Sequence, residues 1–109
     1  MGAAVTPPLE IRPMLSRHLR SVAAIDSASH PKAWSRELWR AELRRENRIY
    51  LVAIRGRTVL GYAGVLIAID EAHLMTIATH PDHRGQGVAT RLLLAAIDQA
   101  VEAGCTALT

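Results

Sequence analysis

Cysteine is almost absent from this sequence, because Cys105 is the only one among 109 residues. A disulfide within the chain is therefore excluded, and so is a zinc site built from several cysteines. A reducing compartment is the default expectation for such a chain. Because Cys105 follows Gly104 at the start of an apolar run, we expect a buried structural thiol rather than a catalytic one.

Aromatic residues and lysine are also scarce. The sequence has no phenylalanine, two tryptophans, two tyrosines and one lysine, although its net charge is +3. Four aromatic residues offer little surface for stacking against the bases of a nucleic acid. Arginines also alternate with acidic residues along one predicted helix, which indicates a solvated surface; these are Arg36, Arg40, Arg44, Arg45, Glu37, Glu42 and Glu46. A nucleic-acid partner is therefore not expected, although a basic ribosome- or RNA-associated domain remains an alternative.

Long apolar segments are missing as well. No stretch reaches the roughly 20 residues that a membrane-spanning helix requires. The opening segment, MGAAVTPPLE, has no charged region followed by an apolar one, so it does not resemble a signal peptide. We therefore expect a cytoplasmic protein with no membrane partner.

Local patterns predict an α+β fold in one small domain over residues 1–109. Ser35 is a good N-cap, and Trp34 before it can pack on Trp39 as a hydrophobic staple. The predicted strands are 9–12, 50–54, 58–69 and 73–79, with another beginning at 105. The predicted helices are 16–30, one after residue 35, and 88–103, which ends before Gly104. The last helix carries an apolar stripe of Val88, Leu92, Leu93, Ala96, Ile97, Ala100 and Val101.

The most informative segment is 74–94, in which an apolar strand leads through a Pro/Gly loop into an amphipathic helix. The first N–H groups of a helix have no intrahelical partner and bind anions, especially phosphate. Gly85 and Gly87 allow close backbone approach, and Arg84 supplies a cation. A Walker loop would need Gly-Lys-Ser/Thr, and a dinucleotide fingerprint would need a third glycine at Thr90, so both are disfavoured.

Arg84-x-x-Gly87-x-Ala89, placed after Ile77-Ala78-Thr79-x-Pro81, resembles the acetyl-CoA signature of the GNAT superfamily of N-acetyltransferases. Within that superfamily, residues 70–89 look most like the bacterial ribosomal-protein-alanine N-acetyltransferases. The resemblance implies a mostly antiparallel sheet with flanking helices, here without the C-terminal strands and helix.

The resemblance also implies a function, which is the acetyl-CoA-dependent acetylation of a protein N-terminal amine or another primary amine. Ile77, Ala78 and Thr79 would then offer main-chain hydrogen bonds to pantetheine. The pyrophosphate would be bound by Arg84, Gly85, Gln86, Gly87, Val88, Ala89 and Thr90. A CoA-binding or interaction module without turnover, or a fragment, is the alternative.

The catalytic residues are not identified by the sequence. In the family that it resembles, the general base is a glutamate and the general acid a tyrosine, and both would fall after Thr109. Glu71, His73 and His80 are candidates within the chain, but each is more simply explained by a structural role in a turn or at a strand edge. A zinc site from His73, His80 and His83 is disfavoured because no compact ligand pair with a third donor is evident. We also expect residues 73–79 to form an open sheet edge, which a homo-oligomer could complete.

Overall fold

A five-stranded sheet runs through the middle of the protein, with helices on both faces. The computed structural model describes residues 5–109. Its strands are β1 (Leu9–Pro13), β2 (Arg48–Arg55), β3 (Thr58–Ala68), β4 (Glu71–Thr79) and β5 (Ala107–Leu108). Its α-helices are α1 (Leu19–Ser29), α2 (Arg36–Leu43) and α3 (Val88–Glu102). Strand order follows the chain, β1 to β4 are antiparallel and β5 is parallel to β4. The predicted α+β class is therefore confirmed.

The face of the sheet covered by α1 and α2 holds all four aromatic residues of the chain. Trp39 and Tyr62 are fully buried, and the Trp39 ring meets the edges of Tyr50 and Tyr62 at centroid distances of 5.5 and 5.3 Å. Trp34 packs on Trp39 at 4.7 Å, and the Ser35 hydroxyl accepts a hydrogen bond from the first turn of α2. The predicted cap and staple are therefore confirmed, and they fix where the chain enters α2.

The opposite face is covered by α3, whose buried residues recur every fourth position: Val88, Leu92, Ala96 and Ala100. The predicted stripe was wrong at Val101, which is 64% exposed. Each residue turns the helix by about 100°, so a position directly after Ala100 points away from the sheet. Cys105 is free and buried beneath this helix, as expected.

Glu42 is buried, which corrects the prediction of a fully solvated helix surface. Its Oε1 accepts hydrogen bonds from the Tyr50 hydroxyl at 2.6 Å and from Arg48 Nε at 2.8 Å. Burial alone would raise the pKa of Glu42, but these hydrogen bonds and the arginine charges hold that pKa below its usual value. The helix also ends at Leu43, so Arg45 and Glu46 lie outside it.

Replacing Glu42 with glutamine should lower the free energy of unfolding at pH 7 by about 1–3 kcal/mol, because the buried donors lose a charged acceptor. The pKa of Glu42 is depressed in the folded state, so its contribution is complete above the usual value of 4.5 and is lost as pH falls through the lower folded value. Urea unfolding at pH 7 and pH 3 should show the difference between variant and wild type shrinking in acid. Glu37→Gln, an exposed position on the same helix, is the control; a pH-independent difference would contradict this role.

The outer edge of β4 is covered by β5 over its first residues only. Ala107 and Leu108 pair with Glu71 and Ala72, and the Leu74 N–H donates to the Thr109 carbonyl at 2.8 Å. The prediction of an open edge from 73 was therefore wrong for the first residues, which β5 covers. Beyond Leu74, no strand among residues 5–109 pairs with this edge.

A register shift in the β3–β4 pairing lies at the same place. Gly64 is opposite Thr76 and Val65 is opposite Leu74, so Met75 has no partner on β3. Such a bulge locally bends a strand and exposes its backbone groups. The uncovered half of β4 therefore starts at a distortion, and this half borders the site described next. Among the described residues, no helix combines the length and apolarity needed to cross a membrane.

Candidate functional site

The loop between β4 and α3 presents backbone N–H groups rather than side chains. Gly85 and Gly87 have positive φ angles of 78° and 79°, and among residues 5–109 no atom beyond their chain neighbours lies within 4 Å of the position that a Cβ would take on either. Gly87 is the N-cap of α3, and no side chain caps the first turn. The first turn also lacks acidic residues. Its N–H groups are thus available to an anion.

This loop, the end of β4 and the end of α1 enclose a cleft of about 520 Å³, which we call the loop cleft. Eight residues predicted as the cofactor site line it: Ile77, Ala78, Thr79, Arg84, Gly85, Gly87, Ala89 and Thr90. Two α1-side residues that the sequence did not indicate, Ser29 and His30, complete the wall. Nothing in the sequence near residues 29 and 30 signals this contact, because it depends on how α1 packs across the sheet.

The structure directs the side chains of the other two predicted residues away from the loop cleft. Val88 is 2% exposed and packs in the core under α3. The Gln86 side-chain oxygen accepts a hydrogen bond from Arg55 at 3.2 Å. Both residues belong to the loop and first turn, so any contact that they make with a ligand comes from their backbone.

Arg84 is the cation of the loop cleft. Its side chain is exposed, lines the cleft and makes no salt bridge with any residue from 5 to 109. A guanidinium without a carboxylate partner can form two parallel hydrogen bonds to phosphate oxygens. The cleft therefore combines a fixed positive charge with open backbone donors.

A second cleft of about 380 Å³ adjoins the first along the uncovered half of β4, and we call it the strand cleft. Its lining residues are Asp26, His30, Lys32, Trp34, Leu74, Met75, Thr76 and Ile77. His30 and Ile77 line both clefts, so the two spaces meet beside the bulge at Met75.

Asp26 is the buried charge of the strand cleft. Burial alone would raise the pKa of this carboxyl. Hydrogen bonds from His30, the Trp34 N–H and the Tyr62 hydroxyl outweigh burial and hold the pKa below its usual value. The carboxylate is therefore ionised at neutral pH. Burial and Asp26 together raise the pKa of Tyr62, whose hydroxyl stays protonated as a donor.

The three catalytic candidates named from the sequence line neither cleft. Glu71 lies 3.5 Å from His73, and His73 Nδ1 lies 2.7 Å from the Thr109 hydroxyl. His80 accepts a hydrogen bond from the Asp82 N–H at 3.0 Å in the turn after β4. His73 and His80 belong to opposite ends of β4, and the described residues contain no group of three side chains suited to a metal.

Solved structures of other proteins share this fold, among them two N-acetyltransferases. The ribosomal-protein-S18-alanine N-acetyltransferase from Escherichia coli superposes with a TM-score of 0.82 at 24% identity, covering 93% of this chain and 64% of that one. PaiA N-acetyltransferase from Thermoplasma acidophilum, solved in complex with coenzyme A, gives a TM-score of 0.77 at 19% identity over 89% of this chain and 74% of that one.

The sequence comparisons agree with the fold. A Bacillus subtilis (strain 168) protein named as a ribosomal protein bS18-alanine N-acetyltransferase is 30% identical over 90 residues, which are 81% of this chain and 59% of that protein. The chain thus spans less than two thirds of the length of this relative and of the Escherichia coli enzyme. Residues 19–109 match the sequence profile of the Acetyltransferase (GNAT) family. The predicted resemblance is therefore confirmed, and the chain that folds around these two clefts belongs to the GNAT acetyltransferase family.

Proposed function

We propose that the protein binds acetyl-CoA in the loop cleft and transfers the acetyl group to a primary amine, most simply the N-terminal amine of a protein. One observation carries the proposal. The half of β4 whose outer edge is uncovered, the two positive-φ glycines and the uncapped start of α3 all face one cleft. The name of the Bacillus subtilis relative, an alanine N-acetyltransferase, supports an amine of this kind as the acceptor.

The residues that line the loop cleft suit both the pyrophosphate and the pantetheine arm of CoA. The loop from Gly85 to Thr90 and the Arg84 guanidinium suit a pyrophosphate, because backbone N–H groups and a fork of donors bind phosphate oxygens. An extended chain such as pantetheine can hydrogen-bond along a free strand edge, which residues 77–79 offer. The acetyl end would then lie toward the strand cleft, where an amine can enter.

Arg84→Ala is the test that separates phosphate binding from general packing. We expect the substitution to weaken CoA binding by about tenfold or more, since a charged hydrogen bond contributes about 1.5–3 kcal/mol. A pantetheine-only analogue, which lacks the phosphates, should lose almost nothing. Isothermal calorimetry with both ligands measures the two changes. Equal losses would mean that Arg84 only packs, and no CoA binding by the wild type would refute the proposal itself.

A CoA-binding protein without turnover is the second candidate function. It is favoured by the fact that Glu71, His73 and His80 line neither cleft. An acetylation assay with an alanine-initiated peptide distinguishes the two functions, because binding without product formation supports the second. For either function we propose a cytoplasmic location, which the free thiol of Cys105 supports.

A further inference from the structure

The buried carboxylate of Asp26 fixes the tautomer of His30, which lies beside it in the strand cleft. Asp26 is 5% exposed, and its Oδ1 lies 2.7 Å from His30 Nδ1 and accepts from the Tyr62 hydroxyl at 2.9 Å. Its Oδ2 accepts from the Trp34 N–H at 2.9 Å. An ionised carboxylate has no hydrogen to donate, so Nδ1 must carry the hydrogen of this contact. The lone pair of the neutral imidazole is consequently on Nε2.

His30 is placed where the two clefts meet. Its side chain is 38% exposed, and it lines both the loop cleft and the strand cleft. Nε2 makes no hydrogen bond with any residue from 5 to 109. The bulge at Met75 faces the same junction. An imidazole anchored through one nitrogen and open at the other is the arrangement that a general base needs.

We propose that His30 Nε2 takes the proton from the ammonium group of the acceptor, with Asp26 as its positioning residue. This proposal rests on the proposed acetyl transfer. The ammonium gives one proton to Nε2, which leaves a neutral amine and an imidazolium beside the Asp26 carboxylate. The nitrogen lone pair forms the amide bond to the acetyl carbon as the carbon–sulfur bond breaks. The second proton that the nitrogen loses goes to the departing thiolate.

Charged and polar groups surround His30 from several elements. Asp26 contacts the ring from α1, Tyr62 reaches it from β3, and Lys32 and Arg84 line the two clefts. The residues that β4 contributes to these clefts, 74–79, are uncharged. The side chain of His30 is 38% exposed, so its proton can pass to solvent after each transfer.

His30→Gln is the variant that tests the proposal, and His73→Gln is its matched control. The two histidines have side-chain exposures of 38% and 39%, each faces a carboxylate, and His73 lines neither cleft. With an alanine-initiated peptide and saturating acetyl-CoA, His30→Gln should lower kcat/KM at pH 7 by about 10²-fold or more and abolish the acid limb of the pH profile. His73→Gln should leave the rate and the pH profile as in the wild type.

A readout that does not depend on activity accompanies the assay. Nitrogen-15 NMR of the imidazole should show His30 as the Nδ1–H form in the free protein, and the Nε2 resonance should move when the peptide is added to CoA-saturated protein. An Nε2–H form, an unmoved resonance, or the same pH profile in His30→Gln and wild type would overturn the proposal. Wild-type protein that binds no CoA, or that binds CoA and acetylates no peptide, would instead refute the proposed function, whereas unchanged kinetics of His30→Gln in an active protein would overturn the role of His30 alone.

Discussion

Replacing Gly87 with valine is expected to lower the affinity for CoA by about 10²-fold or more. Gly87 has a φ of 79°, which β-branched residues avoid, and the position that a Cβ would take faces open space beside the loop cleft. Valine would either fill that space and block the approach of the pyrophosphate, or force the backbone to a negative φ and turn the first N–H groups of α3 away from it. Two lost charged hydrogen bonds correspond to about 3 kcal/mol, or roughly 10²-fold.

Gly104→Val is the matched control for this substitution. Gly104 follows the other end of α3, has a φ of 88° and, apart from its chain neighbours, also has no atom of the described residues within 4 Å of a Cβ position. The two variants should therefore lose similar stability in urea unfolding, while only Gly87→Val loses CoA affinity by calorimetry. Unchanged affinity in Gly87→Val, or equal losses in both variants, would remove the loop from the binding site.

Asp26→Ala should destabilise the protein by about 3–5 kcal/mol at pH 7, because three buried or half-buried donors lose their acceptor together. These donors are the Tyr62 hydroxyl, the Trp34 N–H and His30 Nδ1. The Trp34 contact also ties the chain between α1 and α2 to α1 itself. Chemical denaturation, with the free energy extrapolated to water, measures the change.

Asp98→Ala controls for the loss of a carboxylate as such. Asp98 is exposed on α3 and its carboxylate hydrogen-bonds to no residue in the described part of the chain, so its removal should change stability by less than about 0.5 kcal/mol. Tyr62→Phe should lower the free energy of unfolding by an amount between those of the two alanine variants, because it removes one donor and leaves Asp26 with the other two. A similar small effect of Asp26→Ala and Asp98→Ala would show that the network around Asp26 contributes little to folding.

Features set by neighbouring residues were predictable from the sequence. Ser35 caps α2 and Trp34 packs on Trp39 because an N-cap and a staple involve only a few consecutive positions. The β2–β3 hairpin and the strand–loop–helix unit of segment 74–94 are local in the same way. The loop cleft could be anticipated because most of its wall comes from this one unit.

Features that join distant segments were not predictable. Glu42 has the charge pattern of a solvated helix surface, yet Tyr50 and Arg48 reach it once β2 packs beside α2. The apolar pattern of the last helix also could not show that Val101 falls off the buried face. In each case the deciding interaction is a packing contact rather than a local preference.

The sequence by itself determined the strand–loop–helix unit of residues 74–94, the order of helices and strands, and the resemblance to the GNAT family, because each depends on short-range spacing. Only the tertiary structure brought His30 and Asp26 against Tyr62, 36 positions after Asp26, and set them across from the bulge at Met75. A hydrogen bond over that separation forms when α1 packs on β3 and β4, which no local pattern encodes. The loop cleft was therefore visible in the sequence, whereas its junction with the strand cleft exists only in the folded chain.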